Sequence, residues 1–296
     1  MSDTTNETDQ AHGAHEAHER AQEAKPEAPR ADCAVDAEGR VTVELSLPGS
    51  TGGEQLLLRL RPKKGEPETT THTLALTPVP GAPGRLRAVL DPEPVLAEGR
   101  WDVYALAAPD AERRRLRPGL RDLRVLAPGQ RPAGAPLPLP LAVRVPYATK
   151  DRWLAIRAWL RPAHAEAADI RVADGAMTVH GRLLGTTLGD GAAALLRCRG
   201  KGGPVVETPL RAEGPDTFSF TARYDFPAPP GPDPAFWDVF VRPRPKAPRV
   251  RVARLLDDVA DKKQIFVYPA TTVGAASVRP YYTVDNDLAV EVAPAG

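Results

Sequence analysis

The feature that most constrains this chain is that it reads twice. Trp101-Asp-Val-Tyr104 returns 136 residues later as Trp237-Asp-Val-Phe240. Val41-Thr-Val43 returns at the same offset as Met177-Thr-Val179. Ala31-Asp-Cys33 lies opposite Ala168-Asp-Ile170, Leu57-Leu-Arg59 opposite Leu195-Leu-Arg197, and Arg115-Leu-Arg117 opposite Arg251-Val-Ala253. Near the end of each copy, Arg144-Val-Pro-Tyr147 matches Arg279-Pro-Tyr-Tyr282, and Trp153-Leu-Ala-Ile156 matches the run Leu288–Val292. The anchors keep their order with offsets from 135 to 138. One such match is chance; an ordered series is the signature of an internal duplication.

Within each copy the pattern is short and alternating. Val41-Thr-Val-Glu-Leu-Ser-Leu47, Leu56–Arg61, Arg85–Leu90 and Trp101–Leu106 carry apolar residues with a period near two, and clusters such as Pro78-Val-Pro-Gly-Ala-Pro-Gly84 separate them. Strands at that spacing, divided by turn residues, predict antiparallel sandwiches. Pro is 33 of 296 residues, too frequent for long helices. The expected fold is all-β: two tandem immunoglobulin-like antiparallel β-sandwich domains, residues 31–160 and 161–296. Residues 1–30 stand apart, with seven acids, three bases and no Val, Ile, Leu, Phe, Tyr or Trp. Such a segment buries too little to offset its ordering entropy, so a disordered acidic tail is expected there, with a transient helix over the Ala-rich residues 11–24.

Charge excludes several partners. Lys and Arg total 39 against 38 Asp and Glu, a formal net charge of +1. A near-neutral chain has no global pull on nucleic acid or anionic lipid. Only eight of the bases are Lys; the Arg excess, beside abundant Ala and Pro, reads as the codon bias of a GC-rich genome. No apolar run approaches the roughly 18 residues of a spanning helix, and no signal peptide is visible, so a cytoplasmic location is expected. Cys33 and Cys198 are too few and too far apart for a disulfide framework and read as free thiols.

The repeated residues are the candidates for either fold or function. Trp101 and Trp237 read as core tryptophans, with ligand stacking as the alternative. Asp102 and Asp238 point to the opposite face, placed to pair with Arg115 and Arg251 as cross-strand ion pairs of little energetic weight. Arg144 with Tyr147, and Arg279 with Tyr281 and Tyr282, enter the last strands. A Tyr hydroxyl tying down a corner is one reading of these residues; a pair binding sugar or phosphate is the other.

Other motifs dissolve on inspection. Asp285-Asn-Asp287 has the form of the Asp-X-Asp of nucleotide-sugar transferases but joins two short β-runs, which predicts a hairpin turn with Asn286 at positive φ. Gly189-Asp-Gly-Ala-Ala-Ala194 mimics a dinucleotide fingerprint with no βαβ unit around it. His12, His15 and His18 share a spacing of three but have no partner ligands, and His72, His164 and His180 are isolated. No cofactor, metal site or catalytic residue is expected.

Gly99-Arg-Trp-Asp-Val-Tyr104, Phe236-Trp-Asp-Val-Phe240 and the ending Val278–Leu288 resemble segments of actinobacterial wall-polymer transferases. They are similar to the immunoglobulin-like accessory modules attached to glycosyltransferases and CDP-glycerol glycerophosphotransferases of teichoic-acid type. The resemblance implies a place beside a transferase at the inner face of the membrane. The nucleotide-binding α/β half of those enzymes has no counterpart in the sequence, so no catalytic residue carries over. The leading expectation is therefore a non-catalytic accessory protein that binds a glycan or a transferase, with homo-oligomers through strand edges as a further possibility. A transferase subunit with an unrecognised site between the domains is the alternative. A scaffold working by strand addition is a third.

Overall fold

In a computed structural model that describes residues 27–130, 137–227 and 231–295, the alternating runs form strands joined by Gly- and Pro-rich turns. The expected tail up to residue 26, including His12, His15 and His18, lies outside the described residues. Residues 27–161 contribute β1 (Arg30–Val35), β2 (Val41–Ser46), β3 (Gln55–Leu60), β4 (Thr71–Ala75), β5 (Thr77–Pro78), β6 (Arg85–Leu90), β7 (Gly99–Leu106), β8 (Arg114–Arg115), β9 (Arg117–Asp122), β10 (Leu141–Ala148) and β11 (Leu154–Arg161). The remainder contributes β12 (His164–Ala173), β13 (Ala176–Leu184), β14 (Ala193–Cys198), β15 (Val205–Pro209), β16 (Arg211–Ala212), β17 (Thr217–Arg223), β18 (Ala235–Arg242), β19 (Val250–Ala253), β20 (Thr271–Val273), β21 (Ala276–Tyr282) and β22 (Leu288–Pro294). The chain is all-β; the one helical turn among the described residues is a three-residue 3-10 turn at Arg124–Leu126.

The first eleven strands form two sheets, in the orders β5-β6-β2-β1-β9 and β10-β11-β7-β3-β4, with β8 on β7. The same two orders occur in the second half, as β16-β17-β13-β12-β19 and β21-β22-β18-β14-β15, with β20 added beside β21. There β19 bonds to both β12 and β18, which merges the two layers into one continuous sheet. Pairing is antiparallel except for β1 on β9 and β12 on β19, which are parallel.

Alternation sends one face of every strand inward. In the first half, Val41, Val43 and Leu45 of one sheet close on Leu56, Leu58, Trp101 and Ile156 of the other. In the second, Met177, Val179, Phe218 and Phe220 close on Leu196, Trp237, Val239, Tyr282 and Val290. Both repeated tryptophans are buried, as expected: Trp101 donates its ring N–H to the Ala97 carbonyl at 3.0 Å, while the ring N–H of Trp237 has no partner. The first core is nearly all aliphatic, whereas the second adds Phe218, Phe220, Tyr224, Phe226 and Tyr282. Cys33 is in the first core, where burial pushes its thiol up to about 12; an unreactive structural cysteine is the result.

The halves meet through a third apolar cluster: Leu141, Val143, Val145 and Trp159 of β10 and β11 against Leu184, Ala253 and Leu255. The Asp285-Asn-Asp287 turn clasps this junction. Asn286 has φ 61°, the conformation expected of it. Trp159 donates its ring N–H to the Asp285 carbonyl at 3.1 Å, Arg157 binds the Asp285 carboxylate at 2.5 Å, and Arg161 reaches Asp287 at 3.2 Å. A turn that reads in sequence as mere connection is thus an interface element.

Candidate functional site

Strand register places the residues singled out in sequence. Leu57 faces Tyr104 as Leu195 faces Phe240, and Tyr104 faces Arg115 as Phe240 faces Arg251. Cys33 faces Val43 as Ile170 faces Val179. The sequence anchors at Leu57, Tyr104, Arg115 and Cys33 thus occupy rungs of the same kind as Leu195, Phe240, Arg251 and Ile170. The last hairpin departs from this: Pro146 and Pro280 face Ile156 and Val290, so Tyr147 stands where Tyr281 stands and Arg144 stands where Val278 stands. The match of Arg144 to Arg279 is off by one residue, and one residue moves a side chain to the other face of a sheet.

That parity separates the candidates. Arg144 is buried and donates to the carbonyls of Asp91 and Gly39, both at 2.5 Å, so it ties two turns together. Burial holds its pKa below the usual arginine value. Tyr147 is half-buried on the outer face of the first half. Tyr282 is fully buried, with its ring 5.8 Å from Phe266 and 6.3 Å from Tyr268 between centroids. Its hydroxyl has no hydrogen-bond partner. Arg279 and Tyr281 alternate with it and face outward.

Arg279 and Tyr281 line a cleft of about 410 Å³ with Arg199, Phe236, Lys263, Phe266, Tyr268 and Glu291. The rungs dictate this grouping. Arg199 bonds to the backbone of Phe236, Phe236 faces Glu291, and Glu291 faces Arg279. The Phe236 and Tyr281 rings meet edge to face, with centroids 6.0 Å apart, and the Arg199 guanidinium lies 5.6 Å from the Phe236 centroid. Arg279 holds Glu291 at 2.6 Å, and Arg199 holds Asp238 at 2.8 Å. Burial, with help from the nearby carboxylates of Asp238 and Glu291, raises the Tyr281 phenol above its usual value and keeps it protonated as a donor. The arrangement offers an aromatic wall and paired charged groups, which suits a ligand with one apolar face and a rim of hydroxyls. Phe236 and Arg199 were not candidates from sequence, although Phe236 precedes the repeated Trp-Asp-Val.

On the outer face of the first half Asp102 pairs with Arg115 at 3.1 Å, and on that of the second Asp238 pairs with Arg251 at 3.4 Å. The Asp102 pair is no light surface contact. Its carboxylate is 2% exposed and is also held by Arg61 at 2.6 Å and Arg59 at 2.9 Å. Burial alone would raise its pKa; the hydrogen bonds and charges of Arg61, Arg59 and Arg115 overcome that and hold it below the usual carboxylate value. Among the described residues no group of three or more His, Cys, Asp and Glu could hold a metal ion, and no helix is long and apolar enough to cross a membrane.

No family model matches this chain, and no curated protein does. Among solved structures it has a distant likeness to TarS of Staphylococcus aureus, at 14% identity and TM-score 0.29, covering 65% of this chain and 35% of TarS. The TarS fragment 217–571 gives 13% identity and the same TM-score over 65% of this chain and 54% of the fragment. The chain thus spans about a third of one matched chain and about half of the other; at this TM-score the strand orders and rungs described above stand on their own.

Proposed function

We infer that the chain is a non-catalytic binding module made of two tandem immunoglobulin-like domains, residues 31–160 and 161–296, that arose by duplication. It engages a cell-wall glycopolymer beside a polymer transferase, in the cytoplasm at the inner face of the membrane. The repeated strand orders and matching rungs support the duplication. The observation that carries the binding role is the Tyr281 cleft, where Tyr281 and Phe236 form an aromatic wall beside Arg279, Glu291 and Arg199. Pyranose rings present C–H faces that stack on such walls, while their hydroxyls bond to charged groups already held in place by each other.

Calorimetric titration of the intact protein with fragments of wall glycopolymer tests the proposal. Binding that weakens at least tenfold in Tyr281→Ala, with an unchanged melting temperature, is the expected result. Tyr282→Ala is no substitute, because that ring is core. Binding indifferent to Tyr281→Ala, or none at all, would remove the site. Turnover of CDP-glycerol or a nucleotide sugar by the purified chain would overturn the non-catalytic reading.

A further inference from the structure

The rung that builds the Tyr281 cleft has a counterpart in the first half, and its chemistry differs. Arg61 bonds to the backbone of Arg100, Arg100 faces Arg157, and Arg157 faces Val145. Position for position, Arg61, Arg100, Arg157 and Val145 stand where Arg199, Phe236, Glu291 and Arg279 stand in the second half. Where that half has an aromatic and a carboxylate, this one has two more guanidiniums. Three arginines thus lie side by side on adjacent strands, which run about 4.8 Å apart, a placement that like charges oppose. Arg59, which faces Asp102, and Arg115, which faces Tyr104, join them through the Asp102 carboxylate.

The neighbouring carboxylates do not balance this group. Asp102 serves Arg59, Arg61 and Arg115 together, and Glu68 adds a contact to Arg59 at 3.3 Å. Asp285 serves Arg157, and Glu98 is taken by Arg161 at 2.7 Å. Arg100 donates one N–H to the Val284 carbonyl at 3.2 Å. Among the described residues it has no carboxylate partner, nor does the exposed Lys63 beside it; Glu66 is the one unpaired carboxylate in the lining. Arg61, Lys63, Arg100, Arg157 and Asp285 border a cleft of about 530 Å³ at the junction of the two halves, with Gly99 at its edge. Gly99 has a φ of 155°, and a Cβ there would lie 2.6 Å from Leu60 Cδ1, so the Leu60 side chain would have to turn.

We propose that this cleft is an oxyanion site for a phosphate-class group, with Arg100, Arg61 and Lys63 as its donors and Asp285 as a tethered carboxylate that occupies one arginine. Arg61 spends its Nε and Nη2 on Asp102 and keeps Nη1 for a ligand; Arg100 keeps Nε and Nη1. Guanidinium forks suit tetrahedral oxyanions because two N–H groups meet two oxygens at once. The site stands independently of the glycan reading and rests on a different half of the chain.

Titration of the full chain with pyrophosphate, followed by calorimetry and by the arginine side-chain NMR signals, tests it. The wild type should bind saturably and shift the Arg100 and Arg61 signals. Arg100→Ala and Lys63→Glu should each weaken binding at least fivefold, with folding checked by circular dichroism. Asp285→Asn should tighten binding severalfold by removing the competing carboxylate, and Arg279→Ala, on the other cleft, should leave it unchanged. Absence of saturable binding, or equal binding by wild type and Lys63→Glu, overturns the proposal. Lys63 is an exposed loop residue, so its loss does not endanger the fold. Repeating the titration with orthophosphate and with a phosphodiester polymer separates a free-phosphate site, which takes all three, from a polymer site, which prefers the polymer.

Discussion

Asp102→Asn and Asp238→Asn alter the same position of the two copies and should differ greatly in cost. Asp102 is 2% exposed and holds Arg61, Arg59 and Arg115 at 2.6, 2.9 and 3.1 Å. At an effective dielectric constant of about 20, one close pair is worth about 4 kcal/mol before solvent screening. The three arginines are 26 to 39% exposed, so each contact is discounted heavily. Removing the shared anion also leaves three cations facing one another, and breaking a buried ion pair costs about 3–5 kcal/mol. We expect about 3 kcal/mol for Asp102→Asn. Asp238 is 16% exposed and has only Arg199 at 2.8 Å and Arg251 at 3.4 Å. Its replacement should cost about 1 kcal/mol. Urea denaturation, read by circular dichroism and by fluorescence, measures both. Equal losses, or a loss below about 1 kcal/mol for Asp102→Asn, would refute the claim that burial of a shared carboxylate organises the first outer face.

Three further outcomes follow from the cores and the charges. Trp237→Ala removes a buried ring that packs 4.9 Å from Phe226 and should destabilise the protein by about 3–5 kcal/mol in urea. Tyr224→Phe removes a buried hydroxyl that has no partner and should be neutral or stabilising by up to about 1 kcal/mol in the same assay. The folded pKa of Asp102 lies below its unfolded value. Its contribution is therefore complete above the unfolded pKa of about 3.9 and declines as the pH falls from there through the folded value. The acid limb of a stability–pH profile should be shallower in Asp102→Asn than in the wild type.

The strands were legible because alternation survives in runs such as Val41–Leu47, whose Val41, Val43, Leu45 and Leu47 are all buried. The repeat anchors at Trp101, Leu57, Cys33 and Arg115 fell on equivalent rungs because each includes core positions. The last hairpin misled because the shared arginine letter of Arg144 and Arg279 outweighed strand parity, whereas Pro146-Tyr147 and Pro280-Tyr281 align without a gap. Of the candidate residues, Arg279 and Tyr281 share a cleft, Tyr282 is buried behind its Phe266 and Tyr268, and Arg144 is buried in the first half. Phe236, Arg199 and the row of Arg61, Arg100 and Arg157 were invisible, since each face is assembled from strands far apart in sequence. Arginine abundance that composition alone attributes to codon bias is in part a surface pattern, and only the register exposes it. The clasp at Asp285 was hidden for the same reason: its partners Arg157 and Trp159 lie more than a hundred residues away.

The inferred duplication is tested most directly by interstrand nuclear Overhauser contacts at matching rungs. The account predicts cross-strand neighbours Leu57–Tyr104 and Leu195–Phe240, together with Tyr147–Ala155 and Tyr281–Ala289. A register in either half shifted by one residue, or one set of contacts missing altogether, would contradict it.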